Sequence, residues 1–312
     1  MTVASFSALA IVTAAVLYLL AMSLHALEWA LARHVELASE SVASGTVGGV
    51  ALLDKPSDEA VRPRKADMYG RMGLSVTIIA AVVNLAGIIT RGIAANRAPW
   101  GNMYEFITTA AVVVACLYFV GVWKSGVRWL GLPLTLICAV LNGLAATVFY
   151  VAVAPLVPAL HSVWFMIHIL AAIISGAAFS VGGVAAILYL VVARAERKGT
   201  VKGYLALLPT SDAIDRISYR VLAFAFPLWT FTIAAGAIWA EYAWGRYWGW
   251  DPKETWSLVA WVVFAGYLHA RATAGWRGTR AAWLAILGFA LFWWNFIGVN
   301  LVFAGLHSYA GI

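Results

Sequence analysis

The chain has 312 residues, of which 63% are hydrophobic and 11% charged, and its formal net charge is +7. A water-soluble domain of this length could not hide so much apolar surface, so lipid is the implied solvent. The positive charge follows the loops between apolar runs instead of forming one patch, which excludes nucleic acid as the partner it serves.

The first Lys or Arg is Arg33, so the N-terminus lacks the charged region of a signal peptide and reads as a retained span. Apolar runs long enough to cross a bilayer lie near Phe6–Leu27, Met72–Thr90, Met103–Trp123, Trp129–Ala152, Val163–Ala193, Val221–Ala240, Glu254–Ala270 and Ala281–Phe303. They predict an all-α integral membrane protein of about eight transmembrane helices. It forms a single polytopic domain over residues 1–312, with no internal repeat. The segment 33–71 is polar, mixed in charge and interrupted by Pro56 and Pro63, and reads as a flexible cytoplasmic loop. Pro209-Thr210-Ser211-Asp212 predicts a capped, partly interfacial helix leading into the sixth span. All but four of the 21 Lys and Arg residues fall in alternate loops, and the other loops hold only Arg91, Arg97, Arg246 and Lys253. This asymmetry predicts that both termini lie on the outer side.

Cys116 and Cys138 each sit inside an apolar run, without a CxxC or CxxCH pattern. They read as small buried hydrophobes, with a redox role left open if their helices are neighbours.

Six histidines punctuate the spans. His168 precedes the basic residue Arg194 by roughly 39 Å of helix, at 1.5 Å per residue. His307 follows Arg280 by roughly 40 Å on the same arithmetic. The hydrocarbon core is only about 30 Å thick, so both emerge at one height near the outer surface. Two imidazoles from separate helices at one level suit axial ligation of a haem iron. His269 lies near the inner end of the seventh span, where an ionisable group is a functional candidate. His25 lies toward the inner end of the first span, while His34 and His161 lie in or beside loops and read as ordinary surface histidines.

Between the sixth and seventh spans runs a Trp-rich segment, residues 241–256, preceded by Trp239. An aromatic belt explains one or two Trp at a helix end. It does not explain Trp244, Gly245, Arg246, Tyr247, Trp248, Gly249, Trp250 and Trp256 in such density. Flat indoles beside glycine backbone make a platform for a large planar ligand. Asp251 is a good N-cap, Pro252 fits the first helical position, and Glu254 completes a capping box. The seventh helix therefore starts here, its positive dipole end facing outside and favouring carboxylates such as haem propionates. Arg246 and Lys253 are cations within reach of the same groups. No Ser-His-Asp or Cys-His constellation and no phosphate loop occurs, so no catalytic residue is assigned.

The run from Trp244 to Trp256 resembles the WWD motif of haem-handling proteins, and most of Pro99–Tyr309 resembles the CcsA/ResC family of system II cytochrome c biogenesis. His161-Ser-Val-Trp-Phe-Met-Ile-His168 is similar to that family's first external histidine motif, and Leu306-His307-Ser308-Tyr309 to its second. Leu268-His269-Ala-Arg271 is similar to its transmembrane histidine motif, and Pro99-Trp100-Gly-Asn-Met-Tyr-Glu105 to an outer segment. The resemblance implies that His168 and His307 ligate an external haem held over the WWD segment, and that His269 ligates haem during passage through the membrane. It implies haem b as transported substrate, and delivery to apocytochrome c for attachment at CxxCH. The implied partners are a CcsB/ResB-type membrane protein, which supplies the histidine opposite His269 (with His25, at a plausible depth, as the lower-ranked substitute), and thioredoxin-like thiol reductants acting indirectly. On this reading the chain is a component of a holocytochrome c synthase, or haem lyase. The implied location is the bacterial cytoplasmic membrane, with the haem site on its outer face. Two other readings stay open: a respiratory subunit with b-type haem, and a small-molecule membrane transporter.

Overall fold

A computed structural model of the chain describes residues 2–32, 63–273 and 275–307. His34, Ser308, Tyr309 and all but the end of the expected cytoplasmic loop lie outside the described residues. Among the described residues the regular structure is helical, without a β-strand. Eight long helices follow in order: α1 (Val3–Leu31), α2 (Arg64–Ala95), α3 (Met103–Ser125), α4 (Gly131–Thr147), α5 (Val163–Arg197), α6 (Ser211–Trp244), α7 (Pro252–Ala272) and α8 (Thr279–Trp293). The last continues through a π-helical turn at Trp294–Gly298 and a final turn, α9, at Val299–Val302.

Each predicted apolar run is built around one of these helices. Among the described residues seven are long and apolar enough to cross a membrane; α7 falls outside that set, carrying Lys253 and Glu254 at one end and His269 and Arg271 at the other. Two boundaries and one cap differ from expectation. The segment 33–71 is helical from Arg64, because Asp67 in the first turn of α2 meets Arg128 at 2.8 Å and is fixed there. The fourth run stops being helical at Thr147 although Val148, Phe149 and Tyr150 are apolar. Phe149 is fully buried by protein instead. The sixth helix starts at Ser211 as expected, but Thr210 makes no side-chain cap. The Ser211 N–H donates to Glu196 at 2.9 Å instead.

α5 is the central post and packs on α3, α6 and α8. Its small residues allow this. A Cβ at Gly182 would lie 2.6 Å from Leu222 of α6, and one at Gly183 would collide with Phe289 of α8. α1 packs on α2 and α4. Two clusters of buried charged groups inside this bundle are paired, as a low-dielectric interior favours. His25 and Glu28 meet at 3.3 Å, and Glu28 meets Arg128 at 3.0 Å. At the opposite end Glu105 takes Arg91 at 2.9 Å and Arg97 at 2.7 Å.

Candidate functional site

α6 ends at Trp244 because Gly245 adopts φ +68° and its N–H caps the Glu241 carbonyl. α7 begins at Pro252, after seven intervening residues. Asp251 accepts the Lys253 N–H at 3.0 Å, and Glu254 reaches back to the Asp251 N–H at 3.1 Å, so the expected capping box is present. Glu254 also accepts the Gly249 N–H at 2.8 Å and thereby folds the Trp-rich loop over the start of α7.

Behind this loop lies a cavity of about 1030 Å³, counting the part open to the surroundings. α5 contributes Phe165 and His168, α6 contributes Trp229, Gly236 and Trp239, and α7 contributes Lys253 and Glu254. Tyr247 and Trp248 line it from the loop, Phe292 and Asn295 from the α8 segment, and His307 from the turn after α9. The surface is mainly aromatic and aliphatic, with a few polar groups placed in it, as ligand sites are.

The two histidines expected at one height both reach this cavity, and both pack on the same buried indole. His168 stacks on Trp239 with ring centroids 5.7 Å apart, and His307 meets Trp239 edge-on at 5.6 Å. Trp244 packs on Trp239 and on His307, with ring centroids 4.9 Å away in each case. The route to His307 is not the one expected. Helix ends at Val302 and the chain then turns, so a purely helical count overstates the rise.

Each imidazole is held by its Nδ1. That of His168 lies 2.9 Å from the Thr232 carbonyl, which can only accept, so Nδ1 carries the proton. That of His307 lies 3.0 Å from Asp251 Oδ1. An imidazole held with its proton on Nδ1 has its lone pair on Nε2, and neither Nε2 makes a hydrogen bond among the described residues. Two glycines permit these approaches. A Cβ at Gly236 would lie 2.7 Å from His168 Nδ1, and one at Gly305 would collide with Asp251 Oδ2. Burial works to raise the Asp251 carboxyl pKa, but the His307 hydrogen bond and the Lys253 and Leu306 N–H groups outweigh it and hold it below the usual range.

The other expected residues divide. Lys253 faces the cavity and donates to the Phe296 carbonyl at 3.2 Å. Arg246 lies over Gly249 and meets Glu254 at 3.6 Å, so it belongs to the loop's own packing. Trp250, at φ +59°, is exposed and meets Trp248 edge-on, while Trp256 packs on Trp294. His269 is exposed near the far end of α7, about 27 Å from Asp251 at the helical rise. His25 is fully buried, pressed between Gly73 and Gly131, where the ring has no room for a ligand. His161 is exposed and donates from Nε2 to the Leu156 carbonyl at 3.3 Å.

Residues 100–307 match the family model described as Cytochrome C assembly protein. The "Cytochrome c biogenesis protein CcsA" of Guillardia theta is 38% identical over 258 residues, covering 76% of this chain and 85% of that protein. The protein of the same name from Synechocystis sp. is 35% identical over 303 residues, covering 80% and 90%. Among solved structures, one titled "Cytochrome c Heme Lyase CcmF" superposes over the whole chain with a TM-score of 0.65 at 16% identity. The chain spans 49% of that structure's length, and the likeness is one of fold.

Proposed function

The chain belongs to the Cytochrome C assembly protein family and is a CcsA-type membrane protein of cytochrome c biogenesis, and from that premise we propose that it holds haem at its outer face and presents it to apocytochrome c for attachment at CxxCH. One observation carries this reading. Two imidazoles from separate segments share the Trp239 indole at one aromatic cavity, each with Nδ1 engaged and Nε2 left for iron.

The residues fit such a substrate. Apolar walls from Phe165, Trp229 and Phe292 suit a macrocycle, and Lys253, whose pKa burial lowers to about 7, is an amine that a propionate would hold as a cation. In the proposed reaction the cytochrome's histidine replaces one imidazole on the iron. Each cysteine thiol then adds across a vinyl double bond, sulfur bonding to one carbon and hydrogen to the other, with no net electron transfer. The protein contributes position, and the porphyrin and thiols contribute reactivity. Tyr247, Trp248 and Trp250 on the open loop are the surface against which the CxxCH segment would dock. His269, exposed and far from the outer pair, suits a second haem site completed by a CcsB/ResB-type partner. His25 is buried elsewhere and is not assigned to it.

The test is a haem spectrum of the purified chain, with and without a ResB-type partner. His168→Ala and His307→Ala should each abolish the low-spin signal of the outer site and stop cytochrome maturation. The double variant combined with His269→Ala should be colourless. Full haem in that triple variant sinks the reading; a colourless parental protein favours a transporter, and a redox-active haem that stays bound while cytochrome c maturation is undisturbed favours a resident respiratory haem.

A further inference from the structure

The WWD aspartate is the residue whose contacts exceed its obvious task. An N-cap needs one acceptor for one backbone N–H. Asp251 serves three donors from two separate parts of the chain. Oδ1 accepts the Lys253 N–H at 3.0 Å and lies 3.0 Å from His307 Nδ1; Oδ2 accepts the Leu306 N–H at 2.8 Å. The turn carrying His307 thus rests on the carboxylate that starts α7, and Gly305 leaves no Cβ to keep it away. Asp251 does not line the cavity, although its neighbours Lys253 and Glu254 do.

We propose that Asp251 is a positioning residue for the outer haem site. It fixes the His307 imidazole with its proton on Nδ1, aims Nε2 into the cavity, and does not touch the ligand itself. The inference rests on the proposed outer site. His168 has only a neutral backbone carbonyl in the matching position, so the two axial ligands differ in kind. A carboxylate behind an imidazole makes it a stronger donor to iron than a carbonyl does, and such supporting partners typically change affinity 10–100-fold when removed.

Asp251→Asn separates this role from capping. Asparagine is as good an N-cap, but it has one acceptor where aspartate has two. Keeping the Lys253 cap holds the amide oxygen in the Oδ1 position, so the nitrogen faces the Leu306 N–H and His307 Nδ1 meets a neutral carbonyl oxygen in place of a carboxylate. The experiment measures haem affinity by titration, the ferric and ferrous spectra, the outer haem's midpoint potential, and the melting temperature of the haem-free protein. The expected result is a haem affinity about 10–100-fold lower, a raised potential, a weakened low-spin spectrum and a haem-free melting temperature close to that of the parent. In a His307→Ala background the same substitution should change haem affinity no further. Asp251→Ser, which keeps a cap but cannot reach His307, should behave like Asp251→Asn. The proposal is overturned if Asp251→Asn binds haem with parental affinity and potential. It is equally overturned if the loss persists undiminished without His307, or if both capping variants simply lower the haem-free melting temperature. If His307→Ala itself leaves the outer haem intact, the outer site fails instead.

Discussion

Glu105 shows how one residue holds a wall of the cavity. Its side chain is fully buried, yet it receives Arg91, Arg97 and the Gly101 N–H, the last at 2.7 Å. Arg91 in turn donates to the Val151 carbonyl at 2.8 Å, tying the extended segment after α4 to the start of α3. α3 enters the site from this point through Met103 and Phe106. Replacing the carboxylate leaves two guanidinium groups facing a neutral group in a buried place. Glu105→Gln should therefore destabilise the protein by about 3–5 kcal/mol, seen as a lower thermal midpoint in detergent. An unchanged midpoint would mean that the two arginines find other acceptors and that the cluster is not what fixes α3.

At the scale of elements, α5 and α8 show how packing is transmitted into the site. A Cβ at Gly176 would overlap the ring of Phe292, which also lines the cavity. Gly176→Val should cost about 1–3 kcal/mol through overpacking and push Phe292 toward the ligand space, lowering haem occupancy while His168 and His307 remain intact. Parental haem occupancy in this variant would show that Phe292 yields in another direction. The helices themselves were legible from hydropathy, since every apolar run has its helix, and the capping box at Asp251 was legible from spacing alone. What hydropathy misses is who does the burying. Phe149 looks like a lipid-facing residue and is covered by protein. Likewise, the spacing could flag Asp251 as a cap but not as a partner of His307, because that contact joins positions 56 residues apart. Trp239 stood at the edge of the aromatic run, but its place between two histidines depends on how α5, α6 and the last turn meet. Gly236 and Gly305 carried no sequence signal at all, since only their neighbours in space reveal why they lack a side chain.

For the molecule as a whole, the charge asymmetry of the loops sets an orientation that can be measured. In a Cys116→Ala, Cys138→Ala background, Tyr242→Cys at the end of α6 should react with a membrane-impermeant maleimide from outside intact cells. Lys198→Cys, after α5, should react only once the membrane is opened. The reverse pattern would put the cavity on the cytoplasmic side and remove the basis for delivery to exported cytochromes. With the cavity outside, the way the last turn is anchored acquires a kinetic meaning. His168 is built into a 35-residue helix whose backbone hydrogen bonds must persist for the fold to stand. His307 lies on a non-helical segment five residues past Val302, with the Leu306 N–H and its own Nδ1 held on one carboxylate. If the two imidazoles hold one iron as proposed, the one on the non-helical segment is expected to leave first. After leaving it remains close by, at an effective concentration on the order of millimolar. An incoming histidine would thus compete against a ligand that leaves and returns, so a cargo bound tightly at rest can still be handed on without first dissociating into the membrane.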